Sequence, residues 1–188
     1  MYPDGSMSFQ SGNLMFRDRQ TRHFNNDLPV TLTIAPPRIE QLAERPDLLP
    51  VVATWIYQEW WTAVDGASVG TLTDLLRAHR VPDQMPLTLV ATLKTLPVGT
   101  ATLLVHDVGT EQWPQFSPWL AAVYVVPEYR YRGIGAALVN AIVAKATALG
   151  VVALYLQTVG SEKFYARLGW RVLRTAEEKI LMSKPTAG

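Results

Sequence analysis

The stretch AVYVVPEYRYRGIGAAL, Ala122 to Leu138, decides how this chain is read. An apolar, β-branched run stops at Pro127, a basic turn follows, and two glycines open an alanine-rich segment. That is the order strand, turn, helix. Gly133 and Gly135 lack a Cβ, so a ligand can approach the backbone closely and the turn can use positive φ. The N–H groups of a first helical turn and the positive end of its dipole favour an anion there. Arg130 and Arg132 can close over the same charge, and a pyrophosphate suits such a turn. A dinucleotide fingerprint is excluded, because the position after Gly133 and Gly135 that needs Gly or Ala holds Leu138, and no Gly-Lys-Ser/Thr exists for a Walker loop. The plainer alternative is a strand-turn-helix whose arginines are merely solvated.

Downstream, the spacing predicts a helix over Gly133 to Leu149 with Leu138, Ile142 and Leu149 on one side, and Gly150 sits where a left-handed cap belongs. Val151 to Leu156 reads as a strand, Ser161 to Leu168 as a short helix with Ser161 as N-cap, and Trp170 to Thr175 and Ile180 to Ser183 as strands. Upstream, Trp119 to Val126, Val98 to His106 and Leu87 to Leu93 read as strands. Thr73 to Arg80 reads as a short helix and Pro46 to Trp61 as a longer one. Val30 to Ala35 reads as a first strand, ended by Pro36-Pro37. A run of strands followed by strands interleaved with helices predicts an α/β (α+β mixed) domain, a mixed sheet with helices on both faces.

Bulk properties narrow the chemistry. At 188 residues, 48% hydrophobic and 18% charged, the chain fits one globular domain. Residues 30–188 are expected to form it, with 1–29, polar and mildly basic through Arg17, Arg19 and Arg22, as a flexible extension. A net charge of +1 makes no case for nucleic acid. No cysteine is present, which removes disulfides, thiolate zinc sites and a cysteine nucleophile. His23, His79 and His106 lack metal-binding spacing, so no metal is expected. Neither a membrane span nor a signal peptide is legible, and a cytoplasmic location is the default expectation.

Arg130-x-x-Gly133-x-Gly135, preceded by an apolar strand and a proline, resembles the R/Q-x-x-G-x-G/A motif of the GNAT (GCN5-related) N-acetyltransferase superfamily. Phe164-Tyr165-Ala166-Arg167-Leu168-Gly169-Trp170 resembles the family's second signature, a tyrosine in a short helix followed by Leu-Gly-Phe/Trp. The resemblance is strongest from Pro118 to Trp170. It implies the GNAT fold, a central, mostly antiparallel sheet of about six to seven strands flanked by about four helices. It also implies acetyl-CoA as co-substrate, with no metal. The backbone of Val123, Tyr124 and Val125 would then hold the pantetheine arm along a bulged strand, with an oxyanion donor near Val125. Arg130, Tyr131, Arg132, Gly133, Ile134, Gly135 and Ala136 would hold the pyrophosphate. Tyr165 would be the general acid, a phenol of pKa about 10 able to protonate a thiolate whose acid has pKa about 8.5.

The base stays open among Glu59, Asp65, Asp107, Glu111 and His106. Many family members carry an acidic residue on the strand before the tyrosine helix, where this chain has Gln157. Glu59, Trp60 and Trp61 either pack at a helix end or receive a cationic amine. The leading expectation is acetyl transfer to the primary amine of a small molecule. The alternatives are a silent acyl-CoA sensor of the same fold and an enzyme acting on a protein or peptide amine. No nucleic-acid or membrane partner is expected, and the resemblance admits a homodimer.

Overall fold

The computed structural model of the chain describes residues 36–79 and 81–186. The strand expected at Val30 to Ala35 and the extension 1–29 lie outside them. The first described strand, β1 (Arg38–Gln41), follows the proline pair.

A single turn at Pro46–Leu48 leads into α1 (Leu49–Ile56), which continues as a π-helical turn over Tyr57–Trp61. The predicted helix is therefore present, but its last turn is a wider, underwound π turn, a feature that hydrophobic spacing does not encode. The second helix, α2 (Val69–Ala78), starts four residues before Thr73. Its start is set by a reciprocal cap: the Ser68 hydroxyl accepts from the Thr71 N–H at 3.1 Å, and Thr71 Oγ1 accepts from the Ser68 N–H at 2.9 Å. Two donors that would otherwise be orphaned at the helix end are thereby satisfied.

Then come β2 (Leu87–Leu93), β3 (Leu96–Leu104), β4 (Trp119–Val125), α3 (Ile134–Ala148), β5 (Ala153–Thr158), α4 (Glu162–Arg167), β6 (Arg171–Ala176) and β7 (Lys179–Pro185). Gly150 caps α3 as expected, with φ +75°. Its N–H reaches Thr147 O at 3.0 Å while Val151 N–H reaches Ala146 O at 3.0 Å. Ser161 does stand at the N-cap of α4, but its side chain makes no capping bond. With φ −115° and ψ 13° its backbone is far from the extended geometry of a capping serine.

The sheet has seven strands in the order β1-β2-β3-β4-β5-β7-β6. All neighbours are antiparallel except β4 and β5, which run parallel. Leu120, Val123 and Val125 of β4 join α3, β5 and Tyr165 in one core cluster, while Ala121 and Ala122 join α1 and α2 in the other. A regular strand alternates faces residue by residue. Ala121 and Ala122 instead point the same way, and Ala122 has φ +49°. Opposite them the pairing runs Thr100↔Tyr124 and then Thr102↔Ala121, so two residues of β4 face one of β3. This is the expected bulge.

Candidate active site

Below the bulge β4 and β5 pair at Trp119↔Tyr155 alone. Above that point the two parallel strands part, so the β5-facing edge of β4 meets no strand. The split opens onto both sheet faces, and each face presents a different set of residues.

On the α3 face, the turn 130–133 leads into the N-terminus of α3. Gly133 is the N-cap, at φ +79°, and no side chain caps the helix. The first intrahelical bond runs from Ala137 N–H to Gly133 O at 2.9 Å. The N–H groups of Ile134, Gly135 and Ala136 thus have no partner within the helix. The same three residues, with Gly133, Tyr131, Arg130 and Val125, line a cavity of about 260 Å³ whose far wall is Phe164, Arg167 and Leu168. A Cβ on Gly135 would lie 3.4 Å from Phe164 Cζ and 3.7 Å from Val125 Cγ2. Those are ordinary contact distances, so the space holds a methyl group, and a longer side chain would have to enter the cavity or press on Phe164.

Tyr131 stands in the left-handed region, at φ +62°, and is 82% exposed. Arg132 is also exposed, with its guanidinium carbon 5.3 Å from the Tyr129 ring centroid. Neither Arg132 nor Val123 nor Tyr124 lines the cavity, so the structure gathers most of the predicted coenzyme residues but not all of them. Tyr165 does not line it either. Its ring packs edge-on between Phe164, at 4.9 Å, and Trp170, at 6.0 Å, and only 7% of the residue is exposed. Burial pushes its hydroxyl well above the ordinary tyrosine range, which holds it as a phenol.

On the α1 face, Tyr124 points away from the cavity and meets Trp55 with ring centroids 5.5 Å apart. Arg130 reaches round to this side: its Nε donates to Val125 O at 2.9 Å, and its guanidinium carbon lies 5.8 Å from the Tyr124 ring centroid. Glu59, on the π turn, is half-buried in the same neighbourhood. Burial pushes its carboxyl above the usual glutamate range while the charge of Arg130 pulls part of the way back. Burial likewise raises Tyr124, with Arg130 again opposing.

The other base candidates fare differently. Asp65, Glu111 and His106 are exposed on loops. Asp107 is 2% exposed and accepts from Val108 N–H at 2.9 Å. Gln157 is 3% exposed, and its Nε2 donates to Val108 O at 2.8 Å while Oε1 finds no partner. Trp60 and Trp61 pack with α1 and α2, and Trp60 Nε1 is buried without an acceptor.

Three features escaped the sequence reading. The π turn that carries Glu59 is one. The loop at Val108 that fixes the Gln157 amide is another. The third is Gly99, where a Cβ would sit 2.7 Å from Tyr124 O and 3.1 Å from Leu138 Cδ1. Only a glycine lets β3 run this close to the bulged part of β4. A glycine inside a strand pattern is the signal that could have found it.

Among the described residues no cluster of His, Asp or Glu could hold a metal ion, and no helix is long and apolar enough to cross a membrane. No curated protein matches the chain. Its fold is similar to that of an aminoglycoside 6'-N-acetyltransferase solved with coenzyme A (TM-score 0.63, 14% identity, 80% of this chain and 98% of the other). It is also similar to the PaiA N-acetyltransferase of Thermoplasma acidophilum, solved with coenzyme A (TM-score 0.57, 20% identity, 79% and 98%). A GNAT-family acetyltransferase of Streptococcus pneumoniae is a further likeness (TM-score 0.59, 18% identity, 79% and 98%). At these identities the likeness speaks for the fold. The acetyltransferase (GNAT) domain model matches residues 86–172, the span that holds β4, the glycine turn, α3, β5 and α4. With that match, residues 86–172 are identified as an acetyltransferase (GNAT) domain, and they carry the bulged, split pair at the centre of the seven-stranded sheet.

Proposed function

We propose that this protein transfers an acetyl group from acetyl-CoA to the primary amine of a small molecule. The observation that carries the reading is the uncapped N-terminus of α3 opening into a cavity at the parted strands, with a half-buried carboxylate and an aromatic pair on the opposite face. A pyrophosphate suits the first feature, since three N–H groups and a helix dipole meet it without any side chain to displace. An amine suits the second. Trp55, packed against Tyr124, offers an aromatic edge to a cation, and Glu59 offers its counter-charge.

In this reading the acceptor nitrogen, once deprotonated, attacks the thioester carbonyl carbon. Glu59, or a water it orients, takes the proton from the ammonium. The oxyanion of the tetrahedral intermediate is met by a backbone N–H of the bulged strand near Val125. The C–S bond then breaks, and the departing thiolate receives a proton from the Tyr165 hydroxyl. Burial keeps this hydroxyl protonated but also makes it a weaker acid, so the role is carried over from the family's second signature and not from the shift. Residues 30–188 form the working domain, and its natural setting is the cytoplasm.

A second reading, a silent acyl-CoA sensor, is favoured by one observation: Gln157 offers an amide where a carboxylate would supply a base. Titration calorimetry with acetyl-CoA, beside an amine panel assayed for released thiol, separates the two. Binding with turnover supports the transferase. Binding without turnover on any amine, including peptide and protein lysines, supports the sensor. No binding by folded protein removes both.

A further inference from the structure

Gln157 stands at the split, and the chemistry above leaves it unused. It lies on β5 two residues beyond Tyr155, the one point at which β5 pairs with β4. Leu154 and Leu156 belong to the core on the α3 side, whereas Tyr155 packs in the cluster of Trp119. Strand alternation therefore turns Gln157 to the α1 side. It is 3% exposed, and its Nε2 donates to Val108 O at 2.8 Å. Val108 belongs to a tight turn between β3 and β4. Its N–H is held by Asp107 Oδ1 at 2.9 Å, and Thr110 N–H reaches Asp107 O at 3.3 Å. The Val108 side chain packs into the cluster of α1, α2 and the bulge residues Ala121 and Ala122. One residue thus touches β5 through its carbonyl and the β4 side through its side chain, where the two strands have parted.

We propose that Gln157 is a positioning residue for the acceptor: its amide pins the turn at residues 107–111 across the α1 side of the split, as one wall of the acceptor site. The proposal rests on the reading of that side as the one the amine enters. An amide is the group the bond requires. Val108 O needs a donor, and a carboxylate has none to give. Gln157 Oε1 is buried and finds no partner, which counts against an amide here on every ground except that one donor bond. Gly109 ties the turn to the same spot. At φ +75° it holds a conformation that an alanine adopts only under strain, and its Cβ position lies 3.5 Å from Gln157 Nε2. An amide at position 157 then serves a transferase, and a carboxylate placed there should harm the site instead of completing it.

The test compares two variants of the full chain. Q157M keeps the length of the side chain and removes the donor, and Q157E also brings a carboxylate. Hydrogen exchange at Val108 and Thr110 should quicken about tenfold or more in each. KM for a good amine should rise about tenfold with kcat held within about threefold, while acetyl-CoA affinity stays within about twofold. Should either variant fail to fold, Gly109→Ala, which disturbs the same turn from its other side, should give the same pattern.

Unchanged exchange at Val108 in Q157M overturns the pinning, and quickened exchange with an unmoved KM overturns the acceptor wall. A gain of turnover in Q157E also overturns the proposal, because position 157 is then the seat of a base. So does a loss of acetyl-CoA affinity beyond about tenfold, which makes Gln157 a general support of the sheet. A wild-type protein that turns over no amine sinks the proposed function instead, and the exchange comparison still decides whether Gln157 holds the turn.

Discussion

The two faces of the β4–β5 split are built from different materials. On the α3 side the working surface is backbone: a turn with Gly133 at φ +79°, a helix end without a side-chain cap, and Gly135 in contact range of Phe164. On the α1 side it is side chains brought from far apart, Glu59 from a π turn, Tyr124 from a strand and Arg130 from the turn. A backbone site tolerates many side chains but no misplaced Cβ, whereas a side-chain site can be altered one group at a time. Substitutions should therefore act abruptly on the first face and by degrees on the second.

Gly135→Glu is expected to give the largest effect. Its side chain would run into Phe164 and put a negative charge where a pyrophosphate belongs, so acetyl-CoA binding should vanish in calorimetry while the fold survives. Near-normal affinity would take the coenzyme off this face. Tyr165→Phe should slow turnover about a hundredfold with coenzyme affinity retained. Unchanged turnover on a good amine would mean that another group, or water, protonates the thiolate.

His79 probes the helices on the α1 side. It is 9% exposed, its Nδ1 lies 3.4 Å from Thr88 Oγ1, and burial pushes the imidazole down to about 4 from an ordinary 6.5. The unfolded chain therefore takes up the proton first as pH falls. Stability is complete above about 6.5 and drains away towards 4, by about 2 kcal/mol between pH 7 and pH 5. Hydrogen exchange should show α1 and α2 loosening before α3, and His79→Gln should flatten the pH dependence.

Glu59→Gln carries the smallest expected loss, about tenfold in turnover, because water can reach a half-buried group and substitute in part. Its acid limb should disappear. Since burial raises this carboxyl in the folded state, the ionised form costs stability above the ordinary glutamate range. The variant should accordingly melt at the same temperature or slightly higher. A clear fall in melting temperature would show Glu59 to be structural.

The sequence displayed the first face well and the second poorly, for the same physical reason. Backbone sites leave local marks: Pro127, the two glycines and the alanine-rich run lie within one short segment and dictate its shape. The bulge in β4 was expected through a family resemblance, yet its cause in the chain, two adjacent alanines turned to one face, is written in no periodicity. Glu59 could be named as a candidate beside Asp65, Asp107, Glu111 and His106, but nothing local separated it from them. What does so is long-range: its half-burial on the π turn beside Trp55 depends on how α1 crosses the sheet. The start of α2 was missed for a nearer reason, because Ser68 and Thr71 act as a pair and Gly70 between them reads as a breaker.

The single pairing at Trp119↔Tyr155 has a mechanical consequence. Trp113 stacks on Trp119 at 6.5 Å and Phe116 tilts against Tyr155 at 4.8 Å, so the one joint between the two strands is bolted by aromatic rings. Within the sheet this joint alone ties β1 to β4 to the block of β5, β7 and β6, and everything above it is an open fork. A fork of this kind has a fixed pivot and compliant tips. Its gape is set at the pivot, by the volume of those rings, and whatever bridges the tips stiffens the whole frame.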